Sequence, residues 1–304
     1  MPPPDSRPLP TRDGVGPSCV GLPPAGPWTT MVQFLQERFA AVDPEEWARR
    51  MAAGEVLDEH GVAVTAQRPY QGGMRLYYYR SLPAEPRIAA DEVVVHHDAH
   101  LLVVDKPHFL PVTPGGRWLQ ETLLVRLRRR LGLDELAPIH RLDRETAGLV
   151  LFSVQAATRG AYHALFSQRE VTKQYDAVVH WRPGLSLPLT HCSRLEGDAN
   201  FMQMREVPGE PNSQTQVELK HVQGPHALLG LTPHTGKRHQ LRVHCAALGM
   251  PILHDLIYPQ LQPPHSDDAA HPLQLLARAL EFRDPLSGRM RRFDSGLSLS
   301  LHSP

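Results

Sequence analysis

Apolar residues follow two periodicities along this chain, and each predicts a different kind of element. Short apolar runs of strand length occur at 93–97 and 101–105, divided by a polar turn. A continuous apolar run at 148–154 reads as a buried strand; 171–180 reads as a further strand, and 214–222 with 226–232 as a strand pair. Helical spacing appears at Leu119, Leu123, Leu124, Leu127 and Leu131, with Gly132 as the stop. A second helical stretch covers 156–169, and a third begins near His239 until Pro251 disrupts the pattern. Nearer the amino terminus, Phe34, Leu35 and Phe39 open a short helix. Asp43, Pro44, Glu45 and Glu46 then supply an N-cap, a proline at the first helical position and an acidic first turn. Trp47, Met51 and Val56 fall on its inner side, and Gly54 ends it. Val62-Ala63-Val64 and Leu76-Tyr77-Tyr78-Tyr79 read as strands, and 259–272 as a polar loop. Strands after runs of helix predict a mixed α+β domain rather than repeating βαβ units.

The same pass divides the chain. Residues 1–30 hold nine prolines and little apolar periodicity, which predicts a disordered tail. Residues 31–82 form a small α/β module, 83–92 a linker, and 93–304 the main domain. Composition changes little: 41% apolar residues is ordinary for a globular protein. No stretch approaches the roughly 20 apolar residues that cross a bilayer, and the first residues lack a secretion signal. Cys19, Cys192 and Cys245 are too scattered for a disulfide framework. The expected setting is the cytoplasm, with no membrane partner.

Net charge is zero, with 32 basic and 32 acidic residues, so any attraction to a polyanion must be local. The arginine-rich stretch 125–131 is one candidate patch. Among the 18 histidines, His96-His97-Asp98-Ala99-His100 is the tightest cluster, and His234, His239 and His244 form a second. Neither has the spacing of a tight ligand motif, and His96 and His97 would face opposite sides of a strand. No metal is expected.

The densest chemical signal is the charged, turn-forming segment His140, Arg141, Leu142, Asp143, Arg144, Glu145, Thr146, which runs straight into the buried strand at Gly148 and Leu149. That order puts a short carboxylate on a loop held by a rigid scaffold, flanked by two guanidinium groups. The string resembles the signature of the RluA group of pseudouridine synthases. Four further segments match that family in order. They are Val103-Val104-Asp105-Lys106-Pro107, then Lys173-Gln174-Tyr175-Asp176-Ala177, then Thr235 to His244, then Gly249-Met250-Pro251-Ile252 with Asp255 and Tyr258. Together they span about two thirds of the chain, roughly 93 to 294.

The resemblance implies a mixed, mostly antiparallel catalytic sheet and an RNA pseudouridine synthase, an isomerase acting on structured ribosomal or transfer RNA. It implies no cofactor, and the expected state is a monomer. Asp143 would be the catalytic aspartate, Tyr175 would stack on the target base, and Arg242 would form an ion pair with Asp143 inside the cleft. Arg141 would enter the space left by the flipped nucleotide, and Leu241 would help line the pocket. His140, Lys106, Lys237, Arg238, His239 and Gln240 complete the expected substrate contacts. The aspartate could serve as a nucleophile or as a base. Departures from the family are Lys237-Arg238 where Arg-Thr/Ser is usual, His254 where Gly often stands, and Leu276 in place of His. In the smaller module, Arg49, Arg50 and Gly54-Glu55-Val56 resemble the alpha-L RNA-binding motif. The rival reading is an RNA-binding protein that kept the scaffold without the catalysis.

Overall fold

The computed structural model describes residues 9–80, 85–198, 200, 202–263 and 267–301. The expectations for residues 1–8 of the tail and 83–84 of the linker lie outside them. The chain forms two compact units. The smaller comprises Met1–Pro86, Pro114–Gln120 and Val125–Asp134; the larger comprises Arg87–Thr113, Glu121–Leu124 and Glu135–Pro304. The division therefore differs from a single boundary near 83–92, because two later segments belong with the amino-terminal unit.

The smaller unit contains β1 (Ser18–Gly21), α1 (Met31–Arg38), α2 (Pro44–Ala52), β2 (Val56–Asp58) and β3 (Arg75–Tyr78). Its antiparallel sheet has the order β1-β3-β2. Capping sets both helices: the Thr30 side chain accepts from Gln33 N, and Asp43 Oδ1 accepts from Glu45 N at 2.9 Å. Phe34, Leu35, Trp47, Met51, Val56 and Leu76 make one apolar core. Two expectations change here. Residues 18–21 are a strand, because β3 satisfies their backbone groups. Residues 62–64 are not a strand, since Asp58 accepts from both His60 N and Val62 N and turns the chain there. On α2, Arg50 is buried and bonded to Glu46 and to the Tyr79 carbonyl, which leaves only Arg49 outward. A third helix, α3 (Leu123–Leu131), carries the arginine run. Arg128 and Arg129 donate to the carbonyls of Gly14 and Asp13, so that run is not a free basic patch.

The larger unit continues with β4 (Val93–His97), β5 (Leu101–Lys106), β6 (Ala137–Pro138), β7 (Ala147–Ser153), α4 (Ala156–Ser167) and β8 (Thr172–His180). It ends with β9 (Leu189–Gly197), β10 (Met204–Val207), β11 (Ser213–Gln223), β12 (His226–Pro233), α5 (Gln240–Ala247), β13 (Leu275–Arg283) and β14 (Met290–Asp294). Among the described residues these strands form one sheet in the order β10-β9-β11-β12-β8-β13-β7-β5-β4, with β14 on β13 and β6 on β7. Every pairing is antiparallel except β13 with β7. The fold is α+β, as expected, and its mixed sheet is mostly antiparallel. One core packs Ala177, Leu229, Leu231, Leu241 and Leu275; another packs Leu101, Leu149, Leu151, Tyr162 and Phe282.

The parallel contact is short. Leu276 and Ala277 of β13 face Ala147 and Gly148 of β7 before β13 passes on to β14. Gly148 sits there at φ +110°, and a Cβ on it would lie 2.4 Å from the Ala277 carbonyl oxygen. No side chain fits, so the join between the two halves of the sheet requires glycine. Gly148→Ala is expected to cost roughly 1–3 kcal/mol or to prevent folding. Urea unfolding measures it, and an unchanged midpoint would contradict the close approach.

Candidate active site

Asp143 lies on the loop that enters β7, and main-chain anchors hold that loop. Its carbonyl accepts from Thr146 N at 3.2 Å, closing a turn. Lys106, at the end of β5, is wholly buried and donates from Nζ to the carbonyls of Pro107 and Arg144, at 2.9 and 3.1 Å. His108 Nδ1 donates to the Glu145 carbonyl at 2.6 Å. Arg144 forks onto Asp267 with two bonds of 2.7 Å. The Asp143 carboxylate itself is 29% exposed and points into a cleft.

The opposing group comes from α5. Gln240, the first residue of that helix, spends its whole amide on the loop before it and on β11. Oε1 accepts from Thr235 Oγ1 and Lys237 N, at 2.7 and 3.1 Å, and Nε2 donates to the Gln214 carbonyl and Thr215 Oγ1, at 3.0 and 2.9 Å. His239 makes the turn into the helix in the left-handed region, at φ 54°. One residue inside, Arg242 is only 2% exposed. Its Nε and Nη2 bond Asp255 at 2.8 and 2.6 Å, and the Asp255 side chain is fully buried. Burial would weaken the Arg242 charge, but the Asp255 hydrogen bonds override it and hold the guanidinium protonated. The remaining nitrogen, Nη1, makes no hydrogen bond. It lies 3.6 Å from Asp143 Oδ2 and 3.9 Å from Glu145 Oε2.

Tyr175, on β8, lines the same cleft half-buried. Burial first, and the nearby Asp143 charge second, push its phenol well above the ordinary range, so it is a neutral aromatic face. His239 Nε2 lies 3.9 Å from Asp143, and its Nδ1 meets the Tyr258 hydroxyl at 3.0 Å. Burial pulls the His239 ring toward its neutral form, against the Asp143 charge. The cleft encloses ≈ 820 Å³. Seven Arg or Lys side chains line it, at 141, 144, 169, 173, 237, 238 and 242, against one carboxylate, Asp143.

The structure thus brings together Asp143, Tyr175, Arg242, Arg141, His140, Lys237, Arg238, His239, Gln240 and Leu241 around one cavity. Lys106 is corrected: it does not reach the cleft, because its ammonium is buried against loop carbonyls. Gln240 is corrected as well, since its amide braces the loop and has no capacity left for a ligand. His140 contributes a neutral ring, pushed down to about 3 by burial, stacked on Phe166 at 4.6 Å and bonded through Nε2 to Leu151 N. Arg242 is anchored chiefly by Asp255, with Asp143 beyond hydrogen-bond reach. In the sequence, Asp255 marks only the last of the ordered motifs. A helical arginine that must be buried calls for an acid, and Asp255 was the acid in the adjacent motif. His254 occupies its usual-glycine position at φ 61°, and Leu276 is buried in β13.

The family model described as RNA pseudouridylate synthase matches residues 100–247. An uncharacterized RNA pseudouridine synthase of Synechocystis is 30% identical over 234 residues, covering 75% of this chain and 79% of that protein. The dual-specificity RNA pseudouridine synthase RluA of Pasteurella multocida is 30% identical over 214 residues, 66% of this chain and 91% of that one. Human RNA Pseudouridylate Synthase Domain Containing 1 shares the fold, with a TM-score of 0.55 and 24% identity over 69% of this chain and 85% of its own.

Burial pushes Lys106 down to about 7, despite the opposing charges of Glu145 and Asp143. Above that pH the folded chain releases a proton that the unfolded chain keeps until near the ordinary lysine value. Rising pH therefore favours the fold through this group. The parent should gain stability over Lys106→Met as pH rises from roughly 7 to 9, read by urea unfolding. A gap that stays constant would contradict a buried, proton-shedding Lys106.

Proposed function

This chain belongs to the RluA group of RNA pseudouridine synthases, and on that premise we propose that Asp143 is the catalytic group that converts a flipped uridine to pseudouridine. One observation carries the assignment. Among the described residues lining the cleft, Asp143 is the sole carboxylate, and a buried guanidinium with an unbonded Nη1 stands 3.6 Å from it. The reaction breaks the glycosidic bond, turns the uracil and rejoins it through carbon 5. All atoms are retained and no electrons are gained or lost, so the chemistry calls for neither a cofactor nor a metal. Whether Asp143 attacks the nucleoside or removes a sugar proton, its carboxylate must touch the reacting unit.

Extrusion of the nucleotide costs a few kcal/mol. The neutral ring of Tyr175 offsets about 1–3 kcal/mol of that by stacking. Arg141, exposed at the mouth, fills the vacated place in the stack. Lys237 and Arg238 are exposed on the cleft rim, where they contact phosphates. Arg238 is steadied there by a bond to the Gln203 carbonyl at 2.9 Å. The substrate is structured ribosomal or transfer RNA, in keeping with the dual-specificity relative. The smaller unit adds RNA affinity through its alpha-L-like helix, where Arg49 is the outward cation. Three free cysteines suit a reducing compartment, the cytoplasm, and the chain acts as a monomer. No described helix is long and apolar enough to cross a membrane.

Asp143→Asn should abolish isomerisation, measured as tritium release from carbon 5 of labelled uridine RNA, while RNA binding persists. Full activity in that variant would remove Asp143 from the mechanism. Activity absent from the parent as well, with binding intact, would favour the non-catalytic reading. Tyr175→Ala should lower turnover by about tenfold or more, the rate equivalent of the lost stacking. Its melting temperature should stay close to that of the parent. Matched losses of turnover and melting temperature would instead make Tyr175 a packing residue.

A further inference from the structure

Outside the cleft, three side chains from three elements converge at a place the isomerase chemistry does not use. We infer that His191 of β9, Glu206 of β10 and His244 of α5 form a binding site for one divalent transition-metal ion of the zinc class. Their ligand atoms all lie within 4.8 Å of one another. His191 Nε2 is 2.7 Å from Glu206 Oε1, and the rings of His191 and His244 meet edge to face, 4.7 Å between centroids. Two imidazoles and a carboxylate are a familiar donor set for zinc, which takes such ligands with a fourth position left open.

The deepest ligand is preset. His244 is 1% exposed and held from both ring nitrogens. Its Nδ1 is 2.9 Å from Thr215 Oγ1, which Gln240 Nε2 holds in turn at 2.9 Å. Its Nε2 faces the hydroxyls of Ser193 and Ser213, at 3.1 and 3.0 Å. Ser213 Oγ gives its proton to the Ser193 carbonyl at 2.7 Å, so the Ser193 hydroxyl is the one that can donate to a lone pair on Nε2, with the ring proton then on Nδ1. A metal-bound histidine typically has its other nitrogen engaged in this way. His191 and Glu206 are 20% and 30% exposed, which leaves them free to turn. Zinc-to-ligand distances of about 2.0–2.2 Å place tetrahedral ligands roughly 3.3 Å apart. To hold an ion at that spacing, the 2.7 Å contact between His191 and Glu206 must open and the wider separations, up to 4.8 Å, must close.

The site exists only when β9, β10 and α5 have come together, so occupancy stabilises the fold by mass action. It also ties down the helix that carries Arg242, two residues before His244. The test uses the full, tag-free chain stripped with chelator and titrated with Co²⁺, then with Zn²⁺. The expected result is one equivalent of Co²⁺ with a visible ligand-field band, and a melting temperature raised by Zn²⁺. His191→Ala and Glu206→Gln, both at partly exposed positions, should each weaken Co²⁺ binding by at least about tenfold. The metal-free melting temperatures of these variants should match the parent. Absence of the band in the parent, or binding and stabilisation that survive both substitutions, would overturn the site and leave an ordinary His191–Glu206 hydrogen bond.

Discussion

The candidate site depends on one buried cation held by one buried anion. Placing the Arg242 guanidinium inside the protein forfeits hydration worth several kcal/mol, and the two-pronged bond from Asp255 offsets that loss. Asp255 is itself fixed, because its Oδ1 also accepts from Ile257 N and Tyr258 N. The pair therefore has one orientation. That orientation leaves a single buried donor, Nη1, without a hydrogen bond and facing Asp143. An unsatisfied buried donor costs about 1–3 kcal/mol, and here the cost is concentrated where a ligand can relieve it.

Such an arrangement works only if the carboxylate opposite is equally well fixed, and unrelated devices accomplish this. Lys106 and His108 hold the carbonyls of the two residues after Asp143, and Arg144 is clamped to Asp267. Behind the loop, Gly148 lets β7 approach β13 more closely than any side chain would allow. On the other side, the Gln240 amide ties the start of α5 to β11 through Gln214 and Thr215. The polar residues nearest Asp143 and Arg242 thus divide between those that face the cavity and those that hold its walls. Lys106 and Gln240 belong to the walls.

That division explains what could be read from the sequence. That Asp143, Tyr175 and Arg242 meet in one cleft was legible because motif order carries across a family, and the buried strands β5 and β7 because their apolar runs leave little choice. Lys106 was misread because a motif shows that a lysine stands there without showing that its ammonium faces main-chain carbonyls. β9, at Leu189–Gly197, escaped notice because it alternates weakly, with Thr, His, Ser and Arg between its few apolar positions. β13 reads Leu-Leu-Ala-Arg-Ala-Leu-Glu-Phe-Arg, a string of helix formers; its position between β8 and β7 overrides local propensity. β1 was hidden in a proline-rich segment whose strand character depends on pairing with β3, some fifty residues away in the chain.

The zero net charge also becomes intelligible from position rather than sum. The 32 basic and 32 acidic residues cancel over the whole chain, yet seven cations and one carboxylate border the cleft. Salt screens charges beyond about 8–10 Å, so a polyanion at the mouth responds to that local surplus more than to the total. Two of those seven are paired behind the wall, Arg144 with Asp267 and Arg242 with Asp255, and several basic groups elsewhere are paired as well: Arg278 and Lys220 share Asp176, and Arg291 bridges Asp98 and Asp284. The result is a chain with little long-range pull on a polyanion and a short-range one at the mouth of the cleft. Under the proposed function, recognition rests on shape and on the few cations of the rim, while the guanidinium behind Asp143 offsets the repulsion between that carboxylate and a phosphate.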